Sequence, residues 1–211
     1  MGWTFGEPPL DETIELAAVL RRLTSAALAQ EAPSPLTRQL TDRLLEAERA
    51  LAGEIPASLV PRVGADVAGD GRVYLDHSRD IGSFNPNFPV YEMVVDGDLA
   101  RGSVEFPIVY EGPPGIVHGG FLAVFFDCVI QHHNCDVGVA GKTTDLQLRF
   151  QRPTPLLAPL SFDIERRVDA GRIESNARLT RDGKVCAEAR MLAVAGVRSA
   201  LPDVSPRRSA P

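Results

Sequence analysis

Gly115-Ile116-Val117-His118-Gly119-Gly120-Phe121-Leu122-Ala123-Val124-Phe125-Phe126-Asp127 is the stretch on which the reading of this chain turns. Its first part is rich in glycine and its second part is continuously apolar. Paired glycines let backbone approach a ligand with no Cβ in the way. The apolar run that follows, within Ile116 to Ile130, is the most apolar part of the chain. It is too short to span a bilayer and reads as a buried helix opened by His118-Gly119-Gly120. The first amides of a helix lack intrahelical acceptors, and the helix dipole adds positive potential there. Such a helix start is a ready-made site for a polarised carbonyl oxygen. A tight turn with no chemistry is the plainer alternative.

Asp127 weighs against that alternative. It stands among Phe125, Phe126, Cys128 and Val129, and a carboxylate in such company is costly unless paired or functional. A purely structural carboxylate bonded to its neighbours is the competing account. Asp127 lies about 12 Å along the helix from the Gly119 amide, at 1.5 Å per residue. A base or nucleophile must act within about 3–3.5 Å of the carbonyl. One helix cannot present both to one substrate, but two copies running antiparallel can. The expectation is a homodimer with two shared sites, or a dimer of such dimers. After the helix, Lys142-Thr143-Thr144-Asp145 offers a hydroxyl at a strand start that could orient a water or the carboxylate. Threonine is also simply a good strand residue.

Outward from this centre the pattern changes. Before it, Val90–Val95 and Ala100–Tyr110 read as strands joined at Asp96-Gly97-Asp98, and Glu111-Gly112-Pro113-Pro114-Gly115 breaks the pattern. After it, Leu146, Leu148 and Phe150 alternate with polar residues as a half-buried strand should. Leu160–Val168, Arg172–Thr180 and Lys184–Val194 follow as strands, turned at Ala170-Gly171 and Asp182-Gly183. Further upstream, Ile14, Leu16, Ala17, Leu20 and Leu23 recur at helical spacing. Leu36, Leu40, Leu44 and Leu51 form a second helical stripe that starts at Ser34 or Pro35. Between these helices and the strands, Pro56 to Pro89 reads as mainly irregular chain with one short strand at Arg72–Leu75. A lone apolar helix among antiparallel strands is best covered by a sheet wrapped around it, an α+β architecture. The expected organisation is an N-terminal helical and irregular extension over 1–84, the main domain over 85–196, and a Pro, Ser and Arg-rich tail over 197–211, expected to be disordered.

The totals are those of an ordinary globular chain: 211 residues, 44% hydrophobic and 24% charged. A net charge of -6 argues against non-specific binding to nucleic acid or anionic membrane, which needs a basic face. Cys128, Cys135 and Cys186 are odd in number and scattered, which fits a reducing cytoplasm better than a disulfide framework. No basic segment followed by an apolar run marks a signal peptide.

The quoted stretch, with its lead-in Glu111-Gly112-Pro113-Pro114-Gly115, resembles the PaaI-like acyl-CoA thioesterases of the hotdog superfamily. So do Phe150-Gln151-Arg152-Pro153-Thr154-Pro155-Leu156 and Cys186-Ala187-Glu188-Ala189, and the likeness covers roughly Asn85 to Ala195. The resemblance implies a hotdog fold, with a curved antiparallel sheet around one central helix and a dimer as the minimal unit. It implies hydrolysis of an acyl-CoA, with no cofactor beyond the CoA moiety of the substrate. Gly119 would supply the amide that polarises the thioester carbonyl, and Asp127 of the other chain would be base or nucleophile. Thr143, or Thr144 in its place, would assist, and His118 would serve position more than chemistry. Gly120, Thr144, Arg152 and Pro153 are expected beside the substrate. The chain departs from its relatives in the bulk of Phe125 and Phe126 and in Cys128-Val129-Ile130-Gln131-His132-His133-Asn134, where relatives carry smaller residues. That departure questions the shape of the acyl pocket.

Three rivals remain. A serine hydrolase needs a G-x-S-x-G elbow, and the chain has none. His132, His133, Cys135 and Asp136 match no standard zinc spacing, so no metal is expected and the cluster reads as a solvated helix end. The serious rival is a hotdog protein that binds acyl-CoA without cleaving it, since fold alone does not settle function.

Overall fold

A computed structural model describes residues 5–136 and 141–208. Six strands form one antiparallel sheet: β1 (Tyr91–Asp96), β2 (Leu99–Val104), β3 (Gly141–Phe150), β4 (Leu160–Asp169), β5 (Arg172–Arg181) and β6 (Lys184–Ala195). Their order is β1-β2-β4-β5-β6-β3, so β1 and β3 are the edges. Helices α1 (Asp11–Leu28), α2 (Pro35–Ala52) and the single-turn α3 (Ile81–Phe84) precede the sheet, and α4 (Gly119–Asp136) lies between β2 and β3 in the chain. This is the hotdog arrangement, with α4 as the central helix.

The strand alternation explains the sheet's two faces. Leu160, Phe162 and Ile164 of β4, Ile173, Ala177 and Leu179 of β5, and Ala187, Ala189 and Met191 of β6 are all buried. Residues between them carry charge. Register sets Asp163 opposite Arg178, and Arg178 opposite Glu188. Arg178 pairs with Asp163 at 2.9 Å and Arg190 with Glu174 at 2.7 Å. These exposed, solvent-screened pairs add little. They mark the outer face as the solvated one.

Phe125 and Phe126 are both fully buried and share one core cluster with Ala177, Ala187 and Ala189. A helix with bulky side chains thus meets a sheet face of partly small ones. Phe125 stacks against Phe88 and meets Phe106 and Phe162 edge-on at 5.3 and 5.4 Å. The bulk that questioned the acyl pocket is therefore core. Gly102 serves the same packing, because a Cβ there would run into the Phe162 ring.

The C-terminal end of α4 corrects another expectation. It is not solvated: His133 is 0% exposed, and Asn134 and Cys135 are buried. His133 Nε2 lies 3.1 Å from Gly97 O, and His132 Nδ1 lies 2.7 Å from Tyr91 Oη. Arg166 reaches the His133 carbonyl at 3.4 Å and the Asp98 carboxylate at 2.6 Å. A cation at this end suits the helix dipole. No group of His, Cys, Asp and Glu among the described residues could hold a metal ion.

Strand limits follow expectation with two exceptions. β2 stops at Val104, and Ile108–Tyr110 forms a 3-10 turn instead of more strand. Pro107, which has no N–H to give a ladder, stands at that boundary. Arg72–Leu75 forms no strand, only isolated bridges from Arg72 to Pro61 and from Leu75 to Glu7.

The N-terminal extension is anchored by arginines. Arg21 of α1 is buried and donates to the carbonyls of Gly82, Asn85 and Phe88. Arg62 is buried and donates to Gly71 O and Pro206 O. Residues 202–208, expected to be disordered, instead lie against this region. Gly64 N donates to Asp203 O at 2.8 Å, Val63 bridges Val204, and Arg207 pairs with Glu7. Carbonyls of the tail satisfy donors of the extension, which its polar composition did not reveal. Among the described residues, no helix is long and apolar enough to cross a membrane.

Candidate active site

The turn that delivers α4 is fixed before the helix begins. Gly115 has φ +73° and its amide donates to the Glu111 carboxylate at 2.7 Å. A left-handed residue is what glycine supplies without strain. Gly112 N donates to Ile116 O, and Ile116 N to Pro113 O. The loop then docks on the segment after β3: Val117 N donates to Thr154 O, and Leu156 N to Gly115 O. Gly112-Pro113-Pro114-Gly115 and Arg152-Pro153-Thr154-Pro155, 40 residues apart in sequence number, are thereby brought side by side.

His118 caps the helix. Its backbone amide donates to Tyr110 O, and its ring Nδ1 accepts from the Gly120 amide at 3.0 Å. That bond leaves the neutral ring's proton on Nε2. It also uses the second glycine amide. Of the two glycine amides, only that of Gly119 is left without an acceptor among the described residues. A cleft of about 380 Å³ opens beside it, lined by Pro113, Ile116, Gly119, Leu122, Phe150 and the Gln151–Thr154 segment. The Phe150 ring covers Gly119 so closely that a Cβ there would stand 3.1 Å from it. Arg152 and Pro153 line this cleft, and one Arg152 nitrogen is already given to Val185 O at 2.8 Å.

Asp127 lies on the face of α4 turned from the core, half-exposed rather than enclosed as its neighbours implied. Val124 (50% exposed) and Phe121 (38%) are also exposed on α4, one turn and nearly two turns earlier. Thr143 Oγ1 donates to Asp127 Oδ1 at 2.9 Å, and Gln131 Nε2 donates to Thr143 Oγ1 at 2.8 Å. Asp127 Oδ2 has no partner among the described residues. Cys128, next to Asp127, is no competing nucleophile: burial, then the Asp127 charge, push its thiol up to about 12.

The structure separates the two threonines. The β3–β6 register shifts between Thr143 and Asp145, so Thr144 is the extra residue of a bulge. Its hydroxyl donates to Leu192 O at 3.0 Å, and it lines a surface depression with Arg167, Glu174 and Arg190 on the outer face. Thr144 therefore stands neither at Asp127 of its own chain nor in the cleft. Gln131 is the member that sequence reasoning missed. Its position one turn after Asp127 on the same helix face was the available signal.

Within one chain the Gly119 amide and the Asp127 carboxylate occupy opposite ends of two turns of helix. The first is a hydrogen-bond donor without an acceptor, and the second a carboxylate with one oxygen unbonded, both among the described residues.

Solved structures place this arrangement among known proteins. A crystal structure of a thioesterase superfamily protein is similar with TM-score 0.69 and 29% identity, over 92% of this chain and 96% of that chain. That coverage takes in more than the sheet and α4 and reaches into the N-terminal extension. A hypothetical thioesterase from Streptococcus pneumoniae, solved with coenzyme A, is similar with TM-score 0.48 and 18% identity, over 51% of this chain and 90% of that one. The Escherichia coli PaaI protein of the phenylacetic acid degradation operon is similar with TM-score 0.46 and 16% identity, over 49% and 82%. No family model and no curated protein matches the chain. The chain has the hotdog fold and is similar over nearly its whole length to a thioesterase superfamily protein.

Proposed function

We propose that the protein hydrolyses an acyl-CoA thioester to the free acid and CoA, at sites shared between two copies of the chain. The observation that carries this reading is the Gly119 amide, left without an acceptor at the mouth of a cleft. The thioester carbonyl oxygen accepts from that amide, which draws electron density from the carbonyl carbon. Asp127 of the second copy acts through its free oxygen Oδ2. As base it takes a proton from water, whose oxygen attacks the carbonyl carbon. As nucleophile it attacks that carbon itself and water later cleaves the anhydride. In both routes the C–S bond breaks and the CoA sulfur leaves, to be protonated.

The second copy is argued from two features. β3 is a ten-residue strand paired on one side only, and an open strand edge favours pairing with another chain. Beside it lie the exposed side chains of Phe121, Val124 and Phe150. A two-fold contact there can set the α4 helices antiparallel, Asp127 of each facing Gly119 of the other. Arg152, with donors left over on the cleft rim, suits the phosphates of CoA.

A panel of acyl-CoA esters, assayed for free thiol, tests the activity. The native protein is expected to release thiol and Asp127→Asn to lose at least about a thousandfold in kcat. Binding of acyl-CoA with no thiol release from the native protein would favour the non-catalytic binder instead.

A further inference from the structure

Gln131 enters the site only through Thr143, yet it decides what Thr143 can do. The Thr143 hydroxyl has one proton and two nearby acceptors, Asp127 Oδ1 at 2.9 Å and Met191 Sδ at 3.8 Å. It also receives the Gln131 amide at 2.8 Å. An amide nitrogen can only donate, and a carboxylate can only accept. The chain of bonds therefore has one consistent direction, from Gln131 Nε2 to Thr143 Oγ1 to Asp127 Oδ1. With the amide turned over, Gln131 Oε1 and Asp127 Oδ1 would compete for the single hydroxyl proton and one acceptor would go without.

We infer that Gln131 is a positioning residue: by donating to Thr143 it aims the hydroxyl at Asp127 Oδ1, which fixes the carboxylate and leaves Oδ2 as the oxygen that reacts. Hydrogen bonding to the charged form is what favours that form. The other groups around Asp127 do not supply this control. Cys128 on α4 is a neutral thiol, and its ionisation is opposed by Asp127. Met191 of β6 does not titrate. On β3, Asp145 is bonded to Gln147 Nε2, and its charge acts on Arg190 of the outer face. Lys142 is exposed beside Thr143 with no bond to Asp127. In the proposed dimer the partner's helix start, with His118 and the Gly119 amide, would complete the surroundings.

Gln131→Glu is the decisive variant, since it keeps size and reverses hydrogen-bond polarity. Thr143 then faces two carboxylates with one proton, and a like charge stands one helical turn from Asp127. The role in catalysis rests on the hydrolase reading, but the effect on Asp127 does not. The Asp127 carboxyl is followed by 13C NMR titration of the aspartate-labelled full chain, its signal identified by its loss in Asp127→Asn. In Gln131→Glu the midpoint is expected to rise by about one unit or more. In Gln131→Met, which has no donor, it is expected to rise less. In thiol-release assays the acidic limb of kcat should move with it, kcat for Gln131→Met should fall about tenfold, and KM should stay within about twofold. An Asp127 midpoint unchanged in both variants overturns the inference. A midpoint that moves in a native protein without thioesterase activity keeps the inference and removes the hydrolase reading.

Discussion

Proline at position 119 would delete one N–H and little else. Gly119 is the first residue of α4, where proline's fixed φ is already suited to a helix. Its amide makes no bond among the described residues, so none of their bonds is lost. The new ring atoms must displace the Phe150 ring, which is 57% exposed and able to yield. Gly119→Pro should therefore melt near the native protein while kcat falls about 10²–10³-fold, the usual effect of losing one oxyanion donor. A loss of fold instead would place Gly119 among structural residues. His118 has the opposite profile. His118→Ala removes the ring that accepts from the Gly120 amide and should cost about 1 kcal/mol in denaturant unfolding, while His118→Asn, itself a good cap, should recover most of that. The glycine pair and Asp127 stood out as candidates in the sequence because their types are unusual where they stand. The division of labour was not. Only the His118 ring bond distinguishes the Gly119 amide from that of Gly120, and the half-exposure of Asp127 depends on which way α4 faces the sheet.

At the scale of elements, the strands β4, β5 and β6 were legible because charge alternates with apolar residues along each of them. β2 was read too long, since Phe106 and Tyr110 are buried and Val109 is partly buried without being strand. The apolar pattern of a 3-10 turn tucked into a core looks the same. The bulge at Thr144 has no signature in Lys142-Thr143-Thr144-Asp145, yet it sends neighbouring hydroxyls to opposite faces. Helix α2 was correctly placed by Ser34, whose hydroxyl accepts from Leu36 N. Its leucine stripe implied packing that the chain does not provide, for α2 has no buried residue. Leu44→Ala should thus change the stability of the isolated chain by no more than about 0.5 kcal/mol. Leu160→Ala, at a core position 1% exposed, should cost about 2–5 kcal/mol. Chemical denaturation of both variants checks this contrast, and equal losses would contradict the packing described.

For the whole molecule, burial also sets an alkaline limit. Burial pushes Cys128 from 9.0 and Tyr110 from 10.0 up to about 12, and raises Tyr91 above 10.0 with help from the Asp80 and Cys128 charges. The folded chain keeps protons that the unfolded chain releases, so stability falls as pH rises. Their contribution is fully present below pH 9.0 and declines above it. Melting temperature should drop through this range, and Cys128→Ala should flatten the first part of the drop. An alkaline limb unchanged by that variant would remove Cys128 from the account. The central claim concerns assembly: each site takes Gly119 from one chain and Asp127 from another. Asp127→Asn and Gly119→Pro chains, each inactive alone, can be unfolded together and refolded as a mixture. In a two-fold dimer half of the pairs are mixed, and each mixed pair has one intact site of two, so about a quarter of native activity should return. Mixed dimers that form and release no thiol would show that the two groups do not act across chains.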